Sequence, residues 1–447
     1  MIETDNLIQD LLGIGGEDGL STGQAQLDAV ALDGQSPRAI VRPSTAEEAA
    51  AYLKYANSHG LKVAIRGGGV HSGIGNPLEW LDIVLTTERM AAITEYSPAD
   101  LMVGVQAGVK LSDLKAELAK NGQFLPVEAA GLLQGATIGG AIASNTSGPF
   151  RLAYGPARDW LIGVKFVLAD GTIAKGGGKV VKNVAGFDMM KLFIGTLGTL
   201  GLIYEMNFKL LPLPPLTSTL VVAFDDYQAA CGLALKAIDT GTFPSALTVL
   251  DRGAALAVGL PDRTATLLLE VRNTAQALER QVRDITGLCR EAGAAGPDML
   301  DGSQEQHDLW QKVTGFGYRE LSGQGLALKV STLPDQSAAL LTQAHALADR
   351  LSLRISLLSH AGHGLSWLTG SYEDEDKALE FVRELTSWAE RLGGSVAAER
   401  LPLALKQRVG DVWGTALSEG ELKLMRGIKA KLDPERTLGP GRFVAGI

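Results

Sequence analysis

Hydrophobic and polar positions alternate with a period of two over several short stretches, and stretches of helical period lie between them. Ile40-Val41, Lys62 to Arg66, Leu81 to Leu85, Leu101 to Val105, Trp160 to Leu168 and a run from Leu202 read as strands. The turn Ala169-Asp170-Gly171 closes the fifth of these as a hairpin. Ala49, Ala50, Leu53 and Ala56 form an apolar helical face; Ser44 and Glu47 have capping-box spacing before it, and His59-Gly60 stops it. Leu111 to Asn121 predicts a helix with Gly122 as its C′ residue. Thr137 to Asn145 is composed almost wholly of small residues, which suits a short helix lying close to a ring or to another backbone.

Pro212, Pro214 and Pro215 mark a boundary. Beyond it the periods predict strand 219–224, helix 226–238, strands 246–251 and 265–272, and helix 274–292. A second run of the same order follows: strand 326–331, helix 335–350, strands 353–359 and 365–371, helix 375–392, and a strand near Ser395. Two βαββα runs predict an antiparallel sheet with helices on one face, in the ferredoxin-like manner. Residues 1–37 read as a lead segment with a turn at Gly13 to Gly16, and Leu422 to Leu432 as a basic helix stopped by Pro434.

The composition is that of a globular chain of two domains, with 46% hydrophobic and 20% charged residues over 447. A net charge of −9 argues against a nucleic-acid partner, which needs a basic surface to displace counterions. No run of roughly 18 apolar residues predicts a transmembrane helix, and the acidic start Met1 to Asp5 is unlike a signal peptide. The two cysteines, Cys231 and Cys289, fit a reducing cytoplasm and fall short of the four thiolates an iron–sulfur cluster commonly needs.

The chemistry concentrates in Arg66 to Asn76, where five glycines fall within nine residues. Residues without a Cβ let successive N–H groups turn toward one anionic ligand, and a phosphate uses such a nest best. Gly75-Asn76-Pro77 then breaks the chain before another strand, so the helix a Rossmann fingerprint requires is missing. The loop is a phosphate cradle between strands.

On these segments the chain resembles the vanillyl-alcohol oxidase / p-cresol methylhydroxylase flavoproteins. Within them it is most similar to the FAD-binding E subunit of bacterial glycolate oxidase. The resemblance rests on Arg66 to Asn76, Gly122 to Pro126, Thr137 to Pro149, Arg151 to Gly155, Gly176 to Asp188 and Gly195 to Gly201. Gly393 to Ser395, Glu399-Arg400, Asp411 to Gly414 and Pro440 to Phe443 extend it late in the chain. It implies an α+β fold: a two-subdomain FAD-binding domain (38–215), a ferredoxin-like antiparallel cap (216–399), and a C-terminal segment (400–447) returning to the FAD domain. It implies that Arg66, Gly67, Gly68, Gly69, Val70, His71, Ser72 and Asn76 cradle the FAD pyrophosphate. Pro126, Ala136, Thr137, Gly139, Gly140, Ser144, Asn145 and Gly148 would follow the ribityl chain and ring. Gly198, Gly201, Leu202 and Ile203 would line the adenine side, and Lys179 and Lys182 would compensate charge. Some relatives attach FAD covalently to a histidine of this loop, but Val70 offsets His71 by one residue.

The catalytic residues are less legible. Hydroxy-acid dehydrogenases of the family carry a metal-binding His-Ala-Gly-Asp-Gly-Asn-Leu-His segment. Here His360-Ala361-Gly362-His363-Gly364-Leu365-Ser366-Trp367 stands in its place. Residues three apart on a strand face opposite ways, so no metal site is expected. His360, His363 and Arg400 are left as candidates for the base and for the carboxylate anchor. Gly439 stands where the family has Asn. Two functions stay open. One is oxidation of a small 2-hydroxy acid such as glycolate or D-lactate, with electrons passed to an iron–sulfur partner. The other is a non-catalytic or electron-relay FAD subunit beside a homologous FAD chain. A cytoplasmic location, peripheral to the inner membrane through a complex, is expected.

Overall fold

The computed structural model describes residues 4–132, 134–178, 187–319, 321 and 324–447. The chain divides into two units, Met1–Thr146 with Pro156–Pro212 and Leu417–Ile447, and Ser147–Gly155 with Leu213–Ala416. These bounds differ from the divisions after 215 and 399 read from the sequence. Leu211–Pro212 pairs with Gln123–Phe124 and so stays with the first unit.

The first unit holds two main sheets. In the four-stranded one, Val63–Arg66, Ile83–Thr86 and Ala39–Val41 run parallel, with Leu20–Ser21 antiparallel at the edge. Ala39–Val41 and Ile83–Thr86 are buried at every position, as the inner strands of a parallel sheet covered on both faces must be. Helix Ala46–Ser58 covers one face through Ala49, Leu53 and Ala56. Its cap lies one residue later than the spacing Ser44 to Glu47 suggests. Thr45 Oγ1 accepts the Glu48 N–H (3.1 Å), and Glu48 Oε2 accepts the Ser44 N–H (2.7 Å). The lead segment is also more ordered than a turn: Thr4–Gly15 is a helix whose Leu7 and Leu11, four apart, are fully buried beside Leu53.

The second sheet is antiparallel throughout, in the order Ile93–Ser97, Met102–Gln106, Leu202–Lys209, Leu161–Val167, Ile173–Gly177. Helices Leu111–Ala119 and Ile138–Ser144 pack on its apolar face. The chain's end closes this unit. Val63 N–H donates to Thr437 O and Gly439 N–H to Val63 O, so residues 437–439 bridge the edge of the parallel sheet.

In the second unit the two βαββα runs join into one eight-stranded antiparallel sheet, where Ala246–Asp251 pairs with Arg354–His360. Helices Tyr227–Asp239, Ala275–Glu291, Ser337–Leu351 and Glu375–Arg391 bury one face with Leu247, Leu269, Leu328, Leu357 and Leu368. The opposite face carries the unpredicted helices Arg252–Val258 and Gln304–Thr314 around Leu250, Leu268, Leu358 and Trp367. Strand Asp298–Asp301, also unpredicted, forms one edge.

Candidate functional site

The first unit holds an open cleft of about 1030 Å3. Its floor is the loop after Val63–Arg66. Gly67 and Gly68 are needed there for room. A Cβ on Gly68 would run into the Gly135 carbonyl, and one on Gly67 into the Thr137 hydroxyl. The loop turns tightly through Ser72 N–H to Gly69 O and Ile74 N–H to His71 O. Arg442 pins it from the tail: its Nη2 donates to Ser72 O while Nη1 pairs with buried Asp33 at 2.6 Å. Arg66 lies half-buried on the wall and donates to Ser72 Oγ at 3.3 Å. Burial alone pushes its pKa down, and among the described residues no carboxylate pairs with it.

The second wall is the short helix Ile138–Ser144. Thr137 caps it by accepting the Gly140 N–H (3.2 Å), and Gly139 N–H donates to Ala107 O (2.9 Å), holding the helix against the sheet. Ser144 Oγ donates to Gly140 O and lies 3.4 Å from His71 Nδ1. Lys429, buried in the C-terminal helix, donates to Thr199 O, Leu438 O and Asp433 Oδ2 at 2.7–2.8 Å. One ammonium thus ties the glycine turn 195–201 to the tail. A basic wall with backbone donors and no carboxylate among its described residues suits a pyrophosphate.

Arg66, Gly67, Gly68, Gly69, Val70, His71, Ser72, Ala136, Thr137, Gly139, Gly140, Ser144, Gly198, Gly201 and Ile203 all line this cleft. The structure does not bring Leu202 there. It lies on the opposite strand face from Ile203, fully buried in the core beside Val167. Asn76 supports the loop from behind, donating through Nδ2 to Phe443 O. Asn145 is the left-handed C-cap of the short helix. Pro126 is off the wall, and Gly148 belongs to the second unit. Lys179 and Lys182 lie outside the described residues. Gly439, which stands where the family has Asn, lines the cleft as well; reading by motif missed Thr87, Ala107, Thr196, Leu197 and Arg442 as wall residues. Arg442 sits in the Pro440 to Phe443 tail motif, and Thr196 and Leu197 in the glycine turn 195–201, which mark them; Thr87 and Ala107 have no signal of their own.

In the second unit, His360 ends its strand and residues 361–364 turn back, with the N–H groups of His363 and Gly364 donating to His360 O. The turn brings the two imidazoles to 5.3 Å, correcting the expectation that they diverge. His360 Nδ1 meets Thr248 Oγ1 at 2.8 Å, and Trp367 stands edge-on to the ring. Burial, with His363 nearby, holds the His360 pKa well below its usual value. His363 is lowered to about 4 by burial first and by Arg151 second. Among the described residues no three His, Cys, Asp or Glu converge, so these side chains do not fit the metal of the related segment. Arg400 donates to the Arg319 carbonyl at 2.8 Å, and Glu399 is taken by Tyr318 (2.6 Å) and Lys329 (3.1 Å).

A family model described as FAD binding domain matches residues 37–177. A second, the C-terminal domain of FAD-linked oxidases, matches residues 213–443. The glycolate oxidase subunit GlcD of Bacillus subtilis (strain 168) is 27% identical over 423 residues, covering 92% of this chain and 89% of that protein. A D-lactate dehydrogenase of Archaeoglobus fulgidus is 30% identical over 421 residues, covering 91% of each. The crystal structure of p-cresol methylhydroxylase with substrate bound superposes with a TM-score of 0.77 at 18% identity, covering 98% of this chain and 96% of that one. The chain belongs to the FAD-linked oxidases. It is an FAD-dependent oxidoreductase with the α+β fold of the p-cresol methylhydroxylase type.

Proposed function

We propose that this FAD-linked oxidoreductase oxidises a small 2-hydroxy acid of the glycolate or D-lactate type and passes the electrons to a partner subunit. The observation that carries the reading is the match, over nine-tenths of the chain, to relatives named as a glycolate oxidase subunit and a D-lactate dehydrogenase. Bound FAD supplies the electron acceptor for such a reaction. The chain's own part begins with holding it. Arg66 and the N–H groups of Gly67 to Ser72 take the pyrophosphate. Thr137, Gly139, Gly140 and Ser144 follow the ribityl chain and ring, and Gly198, Gly201 and Ile203 line the adenine side. Cys231 and Cys289 are both buried in the core of the second unit. An iron–sulfur centre receiving the electrons therefore belongs to another chain. We place the protein in the cytoplasm, at the inner membrane through that complex; no described helix is long and apolar enough to cross a membrane.

A second reading, an electron-relay FAD subunit beside a catalytic homologue, is favoured by Trp367 in place of a histidine. The engagement of Glu399 and Arg400 with their own neighbours favours it too. Anaerobic titration with glycolate and D-lactate separates the two. Bleaching of the flavin band supports oxidation by this chain. A flavin that reduces with dithionite but with no hydroxy acid supports the relay.

A further inference from the structure

The lead segment ends in a hairpin that reaches the cofactor cleft. Leu32 and Gln35 exchange both backbone hydrogen bonds (3.0 and 2.9 Å) across Asp33 and Gly34, whose φ angles are 49° and 79°. A type I′ turn requires positive φ at both central residues, and Asp-Gly is among the pairs that supply it best. The turn is therefore set locally. It lies before residue 37, where the match to the FAD binding domain begins. Even so, Leu32 lines the cleft together with Leu78 and Arg442.

The hairpin grips two other stretches of that wall. Asp33 Oδ2 accepts from Arg442 Nη1 at 2.6 Å and from the Leu78 N–H at 3.3 Å. Gln35 Nε2 donates to Leu78 O at 2.8 Å, so the backbone of Leu78 is held on both sides. Arg442 passes the grip on. Its Nη2 donates to Ser72 O, and its own carbonyl accepts the Asn76 N–H at 2.9 Å. Both ends of the segment 72–76 thus hang on Arg442, and Arg442 on Asp33. Each side chain of the ion pair is only 8% exposed, so without Asp33 the guanidinium has little water to turn to.

We propose that the hairpin Leu32–Gln35 is a latch on the cofactor, with Asp33 as its positioning residue. By fixing Arg442, Asp33 holds the Ser72 to Asn76 end of the cradle closed on FAD and sets how fast FAD leaves. Two effects of Asp33 oppose each other. Its negative charge, close to a site for an anionic pyrophosphate, disfavours FAD; its grip on Arg442 favours FAD. Asp33→Asn removes the charge and keeps the shape. The lost charge alone would slow release, and the lost grip speeds it, so the sign of the change separates them. The latch requires faster release. The inference rests on the reading that Gly67 to Ser72 cradle the pyrophosphate.

The test uses the FAD-loaded full chain, with FAD release measured by timed filtration after dilution. D33N should release FAD about tenfold faster than the wild type, and D33E should recover part of the difference. R442Q should also release faster, and D33N/R442Q no faster than R442Q alone, because both changes break one link. Hydrogen exchange gives a readout that a purely structural ion pair would not move. The N–H groups of Gln35, Asn76 and Leu78 should exchange about tenfold more slowly with FAD bound than without it, and D33N should shrink that difference. Circular dichroism checks folding. If D33N does not fold, Q35A, which frees only the Leu78 carbonyl, carries the test with release about threefold faster. Release from D33N at the wild-type rate or slower overturns the latch. So do effects of D33N and R442Q that multiply, or exchange at these N–H groups that ignores FAD. A Gly68→Ala protein that keeps its FAD removes the cradle reading itself; a Gly68→Ala protein that loses FAD beside an unchanged D33N removes the latch alone.

Discussion

The cleft of the first unit is made of backbone, and the histidine cluster of the second unit is made of side chains. Around Gly67 to Ser72 the work is done by missing Cβ atoms, turning N–H groups and one half-buried guanidinium. Around His360 and His363 it is done by the two rings, Thr248 and Trp367, drawn from two separate stretches of chain. A backbone site has to be written as a run of glycines, because only glycine permits the approach. A side-chain site is assembled by tertiary pairing and can drift one residue at a time. That difference explains why FAD binding is legible here and the second unit's cluster is not.

The comparison can be broken most severely at Lys429. Replacing it by Met leaves the buried Asp433 without its cation, with only the Thr437 and Leu438 N–H groups donating to it, at a cost of about 3–5 kcal/mol. The expected outcome is a melting temperature lower by roughly 10 °C and a tail released from the Thr199 carbonyl. Calorimetry with and without added FAD measures both effects. Next comes acid. His363 folds with a pKa of about 4 against an unfolded value of 6.5, so the unfolded chain binds the extra proton. Stability is full above pH 6.5 and falls as the pH drops toward 4, by about 3 kcal/mol for this ring. H363Q should flatten that part of the profile of melting temperature against pH, while leaving the flavin content of the first unit unchanged.

A smaller effect is expected at Arg66, where Arg66→Gln removes a charge-assisted contact worth about 2 kcal/mol. FAD should bind roughly 30-fold more weakly, and added salt should weaken the wild type more than the variant. Equilibrium dialysis at two ionic strengths reads this. The smallest is Thr45→Ala, about 1 kcal/mol for the lost cap, against less for Ser44→Ala. Equal losses at both positions would return the cap to where the spacing first suggests it.

That one-residue shift shows how far the sequence reaches. Helix Ala46–Ser58 is legible from its apolar face, but Ser44 and Thr45 are both good caps and only the backbone chooses. The true capping box, Ser418 with Glu421, goes unread because no strong apolar run follows it. Ile203 and Leu202 differ by one position and face opposite sides, so a motif names both and the sheet admits one to the cleft. Helices Arg252–Val258 and Gln304–Thr314 escape notice because one is short and the other is mostly polar, with Gln306 buried beside Leu309, Trp310 and Val313. The meeting of His360 with Thr248 joins strands 112 positions apart, which no local pattern records.

The central claim is that the Arg66 to Ser72 backbone holds FAD by close approach. It is tested most directly by the flavin stoichiometry of purified Gly68→Ala. A Cβ there meets the Gly135 carbonyl, which is backbone and cannot step aside cheaply. The account predicts a folded protein, with the wild-type circular dichroism spectrum, that purifies largely without flavin. A Gly68→Ala protein carrying one FAD per chain, bound as tightly as in the wild type, would contradict it.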